Sequence, residues 1–190
     1  MLAHNDHRPK ADHKHAIRKQ FHPQLKKVWE LYLSHWVSSN APSTLKKVYT
    51  PGGTIVEQMA RNYASFGFNW VPLVNEQLIL ACSLDILFLR HETARGKIIQ
   101  GGDIDNRLKT LIDAMRIPHI QQEIGTNVPE AGEDPFFCFL SDDGLITEIK
   151  IQTGVLLTPL DPNAQEEPVK LIIRVALRPL QLTDWNMSFA

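Results

Sequence analysis

The chain has 190 residues, of which 43% are hydrophobic, so it is long enough to bury the core of one domain of ordinary size. Its formal net charge of −1 argues against nonspecific binding of nucleic acid by the chain as a whole. No apolar run approaches the ~18 residues of a membrane span, and the first residues lack the apolar core of a signal peptide. We therefore expect a cytoplasmic protein that does not enter a membrane.

The charged residues are distributed unequally along the chain. Residues 1–50 contain nine Lys or Arg and three Asp or Glu, a net charge of +6, which leaves −7 for the remainder. A basic arm beside an acidic body fits a protein that contacts phosphate with one part and holds metal with the other. It fits equally well a helix whose charged face is solvated.

The N-terminal third is predicted to be largely helical. From Pro23, which suits the first turn of a helix, apolar residues recur at helical spacing. This stripe consists of Leu25, Val28, Trp29, Tyr32 and Trp36. A second helix is expected between Thr54 and Phe66, with Gly67 as its stop signal.

A long, continuously apolar run lies between Gln77 and Leu89 and is typical of a central strand. It contains Cys82, one of the two cysteines, and the other, Cys138, also lies in an apolar run. The two cysteines lack the close pairing of a zinc site, so we expect two buried reduced thiols.

The stretch Gly101–Met115 combines a helix-start signal with a dense set of charged groups. Its apolar residues recur at the spacing of one buried helical stripe. They are Ile104, Leu108, Leu111, Ile112 and Met115. Asp105, Lys109 and Asp113 are spaced four residues apart and therefore share another face. Asp103 or Asp105 can cap the first turn, but capping needs only one carboxylate, so the helix start has more acid than capping requires.

The last third of the chain is predicted to supply three strands. After a long segment without regular pattern at 116–135, an apolar strand at Phe136–Leu140 leads into the turn Asp142-Asp143-Gly144. A half-exposed strand follows at Leu145–Thr153, and we expect the two strands to form a hairpin. A final alternating strand covers Val169–Leu177. The sum is an α+β fold, a small mixed β-sheet of about four strands packed on a central helix, with an N-terminal helical extension.

The acidic residues at the helix start and at the later turn could together form a metal site. Mg²⁺ is held by carboxylates from separated segments, together with water and substrate phosphate. Clustered carboxylates repel one another unless a cation neutralises them. A bound metal could polarise water for attack on a phosphodiester, and Lys109 could stabilise charge on the phosphorane oxygens. The simpler interpretation of Asp142-Asp143-Gly144 is a turn, since Asp and Gly favour turns.

The two acidic segments together carry a family resemblance. The pattern is Asp103-x-Asp105-Asn106-x-x-Lys109-x-x-x-Asp113-Ala114, followed by Asp142-Asp143-x-x-Ile146 and an alternating strand. It resembles the RusA-like family of Holliday-junction resolvases over roughly residues 78–178. The resemblance implies that Asp103, Asp105 and Asp143 are catalytic ligands of Mg²⁺ or Mn²⁺, with Asp142 as an adjacent metal-binding acid. It implies Lys109 as the catalytic lysine.

The resemblance also implies a substrate and an assembly. The expected function is a metal-dependent, structure-selective endodeoxyribonuclease that cleaves phosphodiesters in branched double-stranded DNA such as Holliday junctions. The expected assembly is a homodimer that presents two active sites to a four-way junction. In this interpretation a basic, His-rich arm at 1–22 and a helical extension at 23–70 precede the nuclease domain at 71–190.

Two other functions remain open from the sequence. A non-catalytic DNA-binding or adaptor protein could retain the same fold, which the additional N-terminal region and the long segment before the Asp-Asp turn would favour. Alternatively, Asp103-Ile104-Asp105 could be the Asp-x-Asp motif of a sugar-nucleotide transferase or of a haloacid-dehalogenase-type phosphatase. Those motifs follow a hydrophobic strand, whereas here two glycines precede the motif and a helix follows it.

Overall fold

The computed structural model describes residues 8–33, 55–90, 103–157, 169–183 and 186 of the chain. The chain divides into two units. The first comprises Met1–Leu73 and Thr110–Asp143, and the second comprises Val74–Lys109 and Gly144–Ala190. None of the helices in the described ranges is long and apolar enough to cross a membrane.

The α+β class predicted from the sequence is confirmed. The α-helices of the described residues are α1 (Arg8–Val28), α2 (Ile55–Asn62) and α3 (Asp103–Met115). The strands are β1 (Ala64–Ser65), β2 (Phe68–Val74), β3 (Leu80–Arg90), β4 (Phe136–Leu140), β5 (Ile146–Val155) and β6 (Lys170–Pro179). These six strands form two three-stranded sheets, where the sequence predicted one sheet of about four.

Helix α1 belongs to the first unit and begins earlier than its apolar stripe predicts. The sequence predicted a helix from Pro23, but the helix starts at Arg8, contains Pro23 and continues into a π-helical turn at Trp29–Leu33. Its buried stripe includes polar residues at helical spacing, so the spacing of apolar side chains alone does not indicate the first half of the helix. The stripe consists of Ala11, His15, Arg18, His22, Leu25 and Trp29.

The core of the first unit is an aromatic cluster on the sheet β1-β2-β4. Phe68 and Trp70 on β2 stack at a ring-centroid distance of 4.8 Å, and Phe136 on β4 meets Trp70 edge-on at 5.1 Å. Helix α1 covers this cluster with His22, whose ring lies 4.6 Å from that of Phe136. The backbone N–H of Phe137 donates to His22 Nδ1 at 2.9 Å, so α1 also satisfies a backbone donor of β4.

The second unit is built on the sheet β5-β3-β6. Strand β3 is its central strand, as the apolar run predicts, and pairs parallel with β5 and antiparallel with β6. The expected hairpin between β4 and β5 is wrong. Strand β4 belongs to the sheet of the first unit, and β5 pairs with β3 instead. Period-two alternation specifies a strand but not its partner, so a local pattern could not identify this long-range pairing.

The two cysteines are free and buried, one in each unit. Burial raises the pKa of the Cys82 thiol to about 11 and also raises that of Cys138. Both therefore remain neutral thiols at physiological pH. The prediction of two buried reduced thiols is confirmed.

Candidate functional site

Helix α3 carries three of the predicted site residues, Asp103, Asp105 and Lys109. Asp103 is its first residue, and the side chain of Asp103 lies outside the described residues. Asp105 and Lys109 are exposed and lie one turn apart on the same face. Neither side chain makes a hydrogen bond or an ion pair with any residue that the structure describes. The exposed face of this helical segment therefore offers a free carboxylate and a free ammonium group.

Asp113 continues the same helical spacing but has a different environment. Its carboxylate accepts a hydrogen bond of 2.7 Å from Lys14 Nζ on α1. Its other oxygen lies 3.5 Å from Arg116 Nη2. The side chain of Asp113 is only 13% exposed, and its charge is balanced by these two cations. Asp113 therefore holds α1 against α3 within the first unit.

The predicted turn Asp142-Asp143 follows β4 in the first unit, and Asp143 begins a 3₁₀ turn that ends at Leu145. Asp142 Oδ2 lies 3.0 Å from Nε2 of His119. Asp143 Oδ2 lies 3.7 Å from Nε of Arg116, which is an ion pair but too long for a hydrogen bond. The side chains of Asp142 and Asp143 are 42% and 46% exposed, so both carboxylates remain accessible to solvent.

Arg116, directly after α3, is a buried cation that forms ion pairs with Asp113, Glu123 and Asp143. Its Nη1 and Nη2 donate to the two carboxylate oxygens of Glu123 at 2.9 Å and 2.8 Å, a bidentate geometry. Burial disfavours the charge of Arg116, but the hydrogen bonds and the nearby charge of Glu123 outweigh it, so the pKa of Arg116 is raised. The pKa of Glu123 is lowered despite burial, because Arg116 and the His119 N–H donate to its carboxylate. Both groups therefore stay ionised at neutral pH.

Arg18 on α1 is a second buried cation at the C-terminal end of α3. Its Nη2 donates to the backbone carbonyl of Asp113 at 2.9 Å, and its Nη1 donates to that of Glu123 at 3.3 Å. Burial lowers the pKa of Arg18 to about 10, so the guanidinium is still protonated at neutral pH. A cation that hydrogen-bonds the last carbonyls of a helix also complements the helix dipole.

These supporting residues were not predicted from the sequence. Arg116 and His119 lie in the segment at 116–135 that shows no regular pattern, and Lys14 and Arg18 were counted only as members of a basic arm. One signal was available for Arg18. It shares helical spacing with Ala11 and Leu25, so an amphipathic stripe that admits polar residues contains it.

The predicted site residues fall into two local pairs. Asp105 and Lys109 lie on the N-terminal part of α3, which belongs to the second unit, and Asp142 and Asp143 are adjacent in the first. Within the described residues, no three His, Cys, Asp or Glu side chains are grouped so as to hold a metal ion. The donor chemistry of the predicted set nevertheless suits Mg²⁺, which prefers carboxylate oxygens, and the carboxylates of Asp105 and Asp143 are exposed.

Comparison of the chain with models of protein families, with curated proteins and with solved structures gives no match. The likeness to the RusA-like family therefore rests on the motif residues alone. A fold does not by itself imply a function, so the side chains of α3 and of the Asp-Asp turn carry the functional proposal.

Proposed function

We propose that the protein is a metal-dependent, structure-selective endodeoxyribonuclease that cleaves branched double-stranded DNA such as Holliday junctions, as a homodimer. The observation that carries this proposal is that Asp105 and Lys109 lie together on the exposed face of α3. Within the described residues, neither side chain has an ion-pair partner. Asp113 on the same helix, by contrast, is paired with Lys14 and Arg116. Exposed groups without an internal partner are those available to a cation and to a phosphate.

The proposed roles follow from the chemistry of each side chain. Asp103 and Asp105 on α3 and Asp143 in the Asp-Asp turn are proposed as ligands of Mg²⁺ or Mn²⁺, with Asp142 as the acid adjacent to Asp143 in the sequence. When bound, the ion supplies a polarised water as nucleophile and neutralises charge on the phosphodiester. Lys109 donates its ammonium protons to a non-bridging phosphate oxygen and stabilises the negative charge that develops there.

Arg116 is proposed as a positioning residue for Asp143. The guanidinium is fixed by its two hydrogen bonds to Glu123, and its Nε faces the Asp143 carboxylate at 3.7 Å. A buried, fixed cation restrains the position of the carboxylate beside it. The exposed part of Asp143 is thereby left to face solvent and any bound cation.

The direct test uses labelled four-way junctions, flaps and linear duplexes, each with and without Mg²⁺ or Mn²⁺. We expect metal-dependent cleavage of the branched substrates by the unaltered chain. Asp105→Asn should abolish cleavage while the circular dichroism spectrum and the melting temperature stay unchanged, because the side chain is exposed. Cleavage by Asp105→Asn at the rate of the unaltered chain would disprove the proposal. The molar mass from light scattering tests the homodimer.

A second candidate function is a non-catalytic DNA-binding or adaptor protein. It is favoured by the ion pairs of the Asp-Asp turn, because Asp142 contacts His119 and Asp143 contacts Arg116. These two contacts fix the Asp-Asp turn within the first unit, which is a structural role that needs no metal. Tight binding of a four-way junction without cleavage, in any divalent metal, would support this function over the nuclease.

A further inference from the structure

The sheet of the second unit has one polar face, which we define by its register. On this face Lys150 of β5 and Arg174 of β6 flank Asp85 of the central strand. The neighbouring positions on the same face include Glu148 of β5 and Arg178 of β6, which pair with Ser83 and Ala81. Lys170 of β6, which pairs with Leu89 of β3, is the last cation on this face of β6.

On the opposite, apolar face the central strand is buried, whereas Ile149 of β5 and Val175 of β6 are 37% and 38% exposed. Leu84 and Ile86 of β3, which point away from the polar face, are 2% and 0% exposed. By contrast, all of the polar-face residues contributed by β5 and β6, apart from Gly154, are exposed. The polar face is therefore a solvent-accessible surface that extends across three strands.

Cations outnumber acids on this face. Four cationic residues, Lys150, Lys170, Arg174 and Arg178, share it with two acids, Asp85 and Glu148. None of the four makes an ion pair or a side-chain hydrogen bond within the described residues, even though Asp85 is the cross-strand neighbour of two of them. The chain as a whole carries a net charge of −1, so this basic surface is a local excess and not a consequence of composition.

The spacing of the cations suits a linear polyanion. Lys170, Arg174 and Arg178 lie at every fourth residue of one strand, roughly 13 Å apart at the rise of a β-strand. The row therefore extends over roughly 27 Å, the length of about eight base pairs of duplex DNA. Lysine on an edge strand also discourages aggregation, but that purpose does not require three cations in one row.

We propose that the polar sheet face binds the phosphate backbone of duplex DNA, with Lys170, Arg174 and Arg178 as the phosphate contacts and Lys150 beside them. The inference rests on the DNA substrate of the proposed function and names the surface that holds it. The contact is independent of base sequence, since phosphate contacts fix position and carry no sequence information. Cleavage chemistry belongs to other residues, so this surface affects affinity and not the reaction itself.

The test measures the affinity of the full chain for a labelled four-way junction in a metal-free buffer at several salt concentrations. The triple variant Lys170→Gln/Arg174→Gln/Arg178→Gln should bind more weakly. The slope of log K against log salt should become shallower by about 1 for each contact removed. Glu148→Gln, which removes an acid from the same face, should tighten binding. This second variant keeps the test decisive if the triple variant folds poorly.

A matched control removes the same charge from α1. In Lys10→Gln/Lys26→Gln/Lys27→Gln three cations of the other unit are replaced, and the salt slope should stay near that of the unaltered chain. An equal loss in both triple variants would overturn the sheet-face assignment, because it would report net charge only. If the unaltered chain binds and cuts the junction and the sheet-face variants bind it with the same affinity, the sheet-face assignment is wrong while the proposed function stands. Absence of any DNA binding by the unaltered chain overturns the assignment and the proposed function together.

Discussion

Lys14 on α1 donates a 2.7 Å hydrogen bond to the carboxylate of Asp113 on α3, 99 positions further along the chain. The contact makes the N-terminal helix a structural part of the first unit, together with the carbonyl contacts of Arg18. Removal of residues 1–22 would therefore uncover the aromatic cluster as well as delete positive charge. Point substitutions are the appropriate test of the N-terminal charges.

Loss of the Lys14 charge should destabilise the protein. In Lys14→Met, Asp113 retains only the longer contact to Arg116 while it stays largely buried. We expect the free energy of unfolding in urea to fall by about 1.5–3 kcal/mol, the usual range for a hydrogen bond to a charged group. Lys27→Met is the matched control, since Lys27 pairs with Glu30 at 3.8 Å on the surface. An equal loss in the two variants would contradict this role of Asp113.

Stability should fall in mild acid because of His15. The ring is 2% exposed, neither ring nitrogen has a hydrogen-bond partner within the described residues, and burial lowers the pKa of His15 to about 4. The unfolded chain, with a pKa near 6.5, therefore binds the proton more readily than the folded protein does. The stabilisation from keeping His15 neutral is fully present above pH 6.5. It is lost as the pH falls from 6.5 to 4, which lowers the free energy of unfolding by roughly 3 kcal/mol.

The acid sensitivity can be assigned by substitution. In His15→Phe the aromatic contacts to Phe68 and Phe136 are retained without a titrating group, so unfolding free energies measured between pH 7 and 4 should decline less steeply. Burial also lowers the pKa of His22, so part of the decline should remain. His13→Gln on the exposed face of the same helix serves as control and should leave the slope unchanged. An unchanged slope in His15→Phe would remove His15 from the explanation.

Elements with a strong local pattern could be predicted from the sequence. The apolar run of β3, the compact strand β4 and the stripe of α3 each specify their own structure, because burial on one or both faces determines the residue types. Helix α1 lacked such a signal in its first half. Its buried Arg18 is stabilised by backbone carbonyls 95 and 105 positions away, which no local window contains.

The pairing partners of the strands and of the charged side chains also could not be predicted from local sequence patterns. Strand β5 alternates in a way that suits a hairpin with β4, yet its hydrogen bonds go to β3. The acids of the site were found because their type and spacing are unusual. Arg116 could not be predicted in this way, because a single arginine after a helix is common. Its importance comes from its hydrogen bonds to Glu123, which lies seven positions further along the chain.

Disruption of the ion pair between Arg116 and Glu123 should lower the free energy of unfolding more than loss of a surface ion pair does. Glu123→Gln keeps the shape of the side chain but leaves the buried guanidinium without its bidentate acceptor. We expect the free energy of unfolding to fall by about 3 kcal/mol. Glu130→Gln, which removes the exposed partner of Lys19, should change it little. Equal effects of the two substitutions would show that the Arg116 pair contributes no more than a surface contact.

Asp143 distinguishes the nuclease from the adaptor. The carboxylate is 46% exposed and its ion pair with Arg116 is long, while Arg116 keeps both hydrogen bonds to Glu123. Asp143→Asn should therefore leave the melting temperature nearly unchanged. If Asp143 binds the metal, the same substitution should slow cleavage of a four-way junction by at least about 100-fold and weaken Mn²⁺ binding in a calorimetric titration.

The neighbouring substitution supplies the comparison for Asp143. Asp142→Asn removes an equal charge from the same turn but affects the contact to His119 and not that to Arg116. The nuclease proposal expects a smaller loss of activity in Asp142→Asn than in Asp143→Asn, because Asp142 is the adjacent acid. An Asp143→Asn variant that binds Mn²⁺ and cuts DNA as the unaltered chain does would remove Asp143 from the metal site. In that case the ion pair with Arg116 is the sole function of Asp143, and the turn is structural.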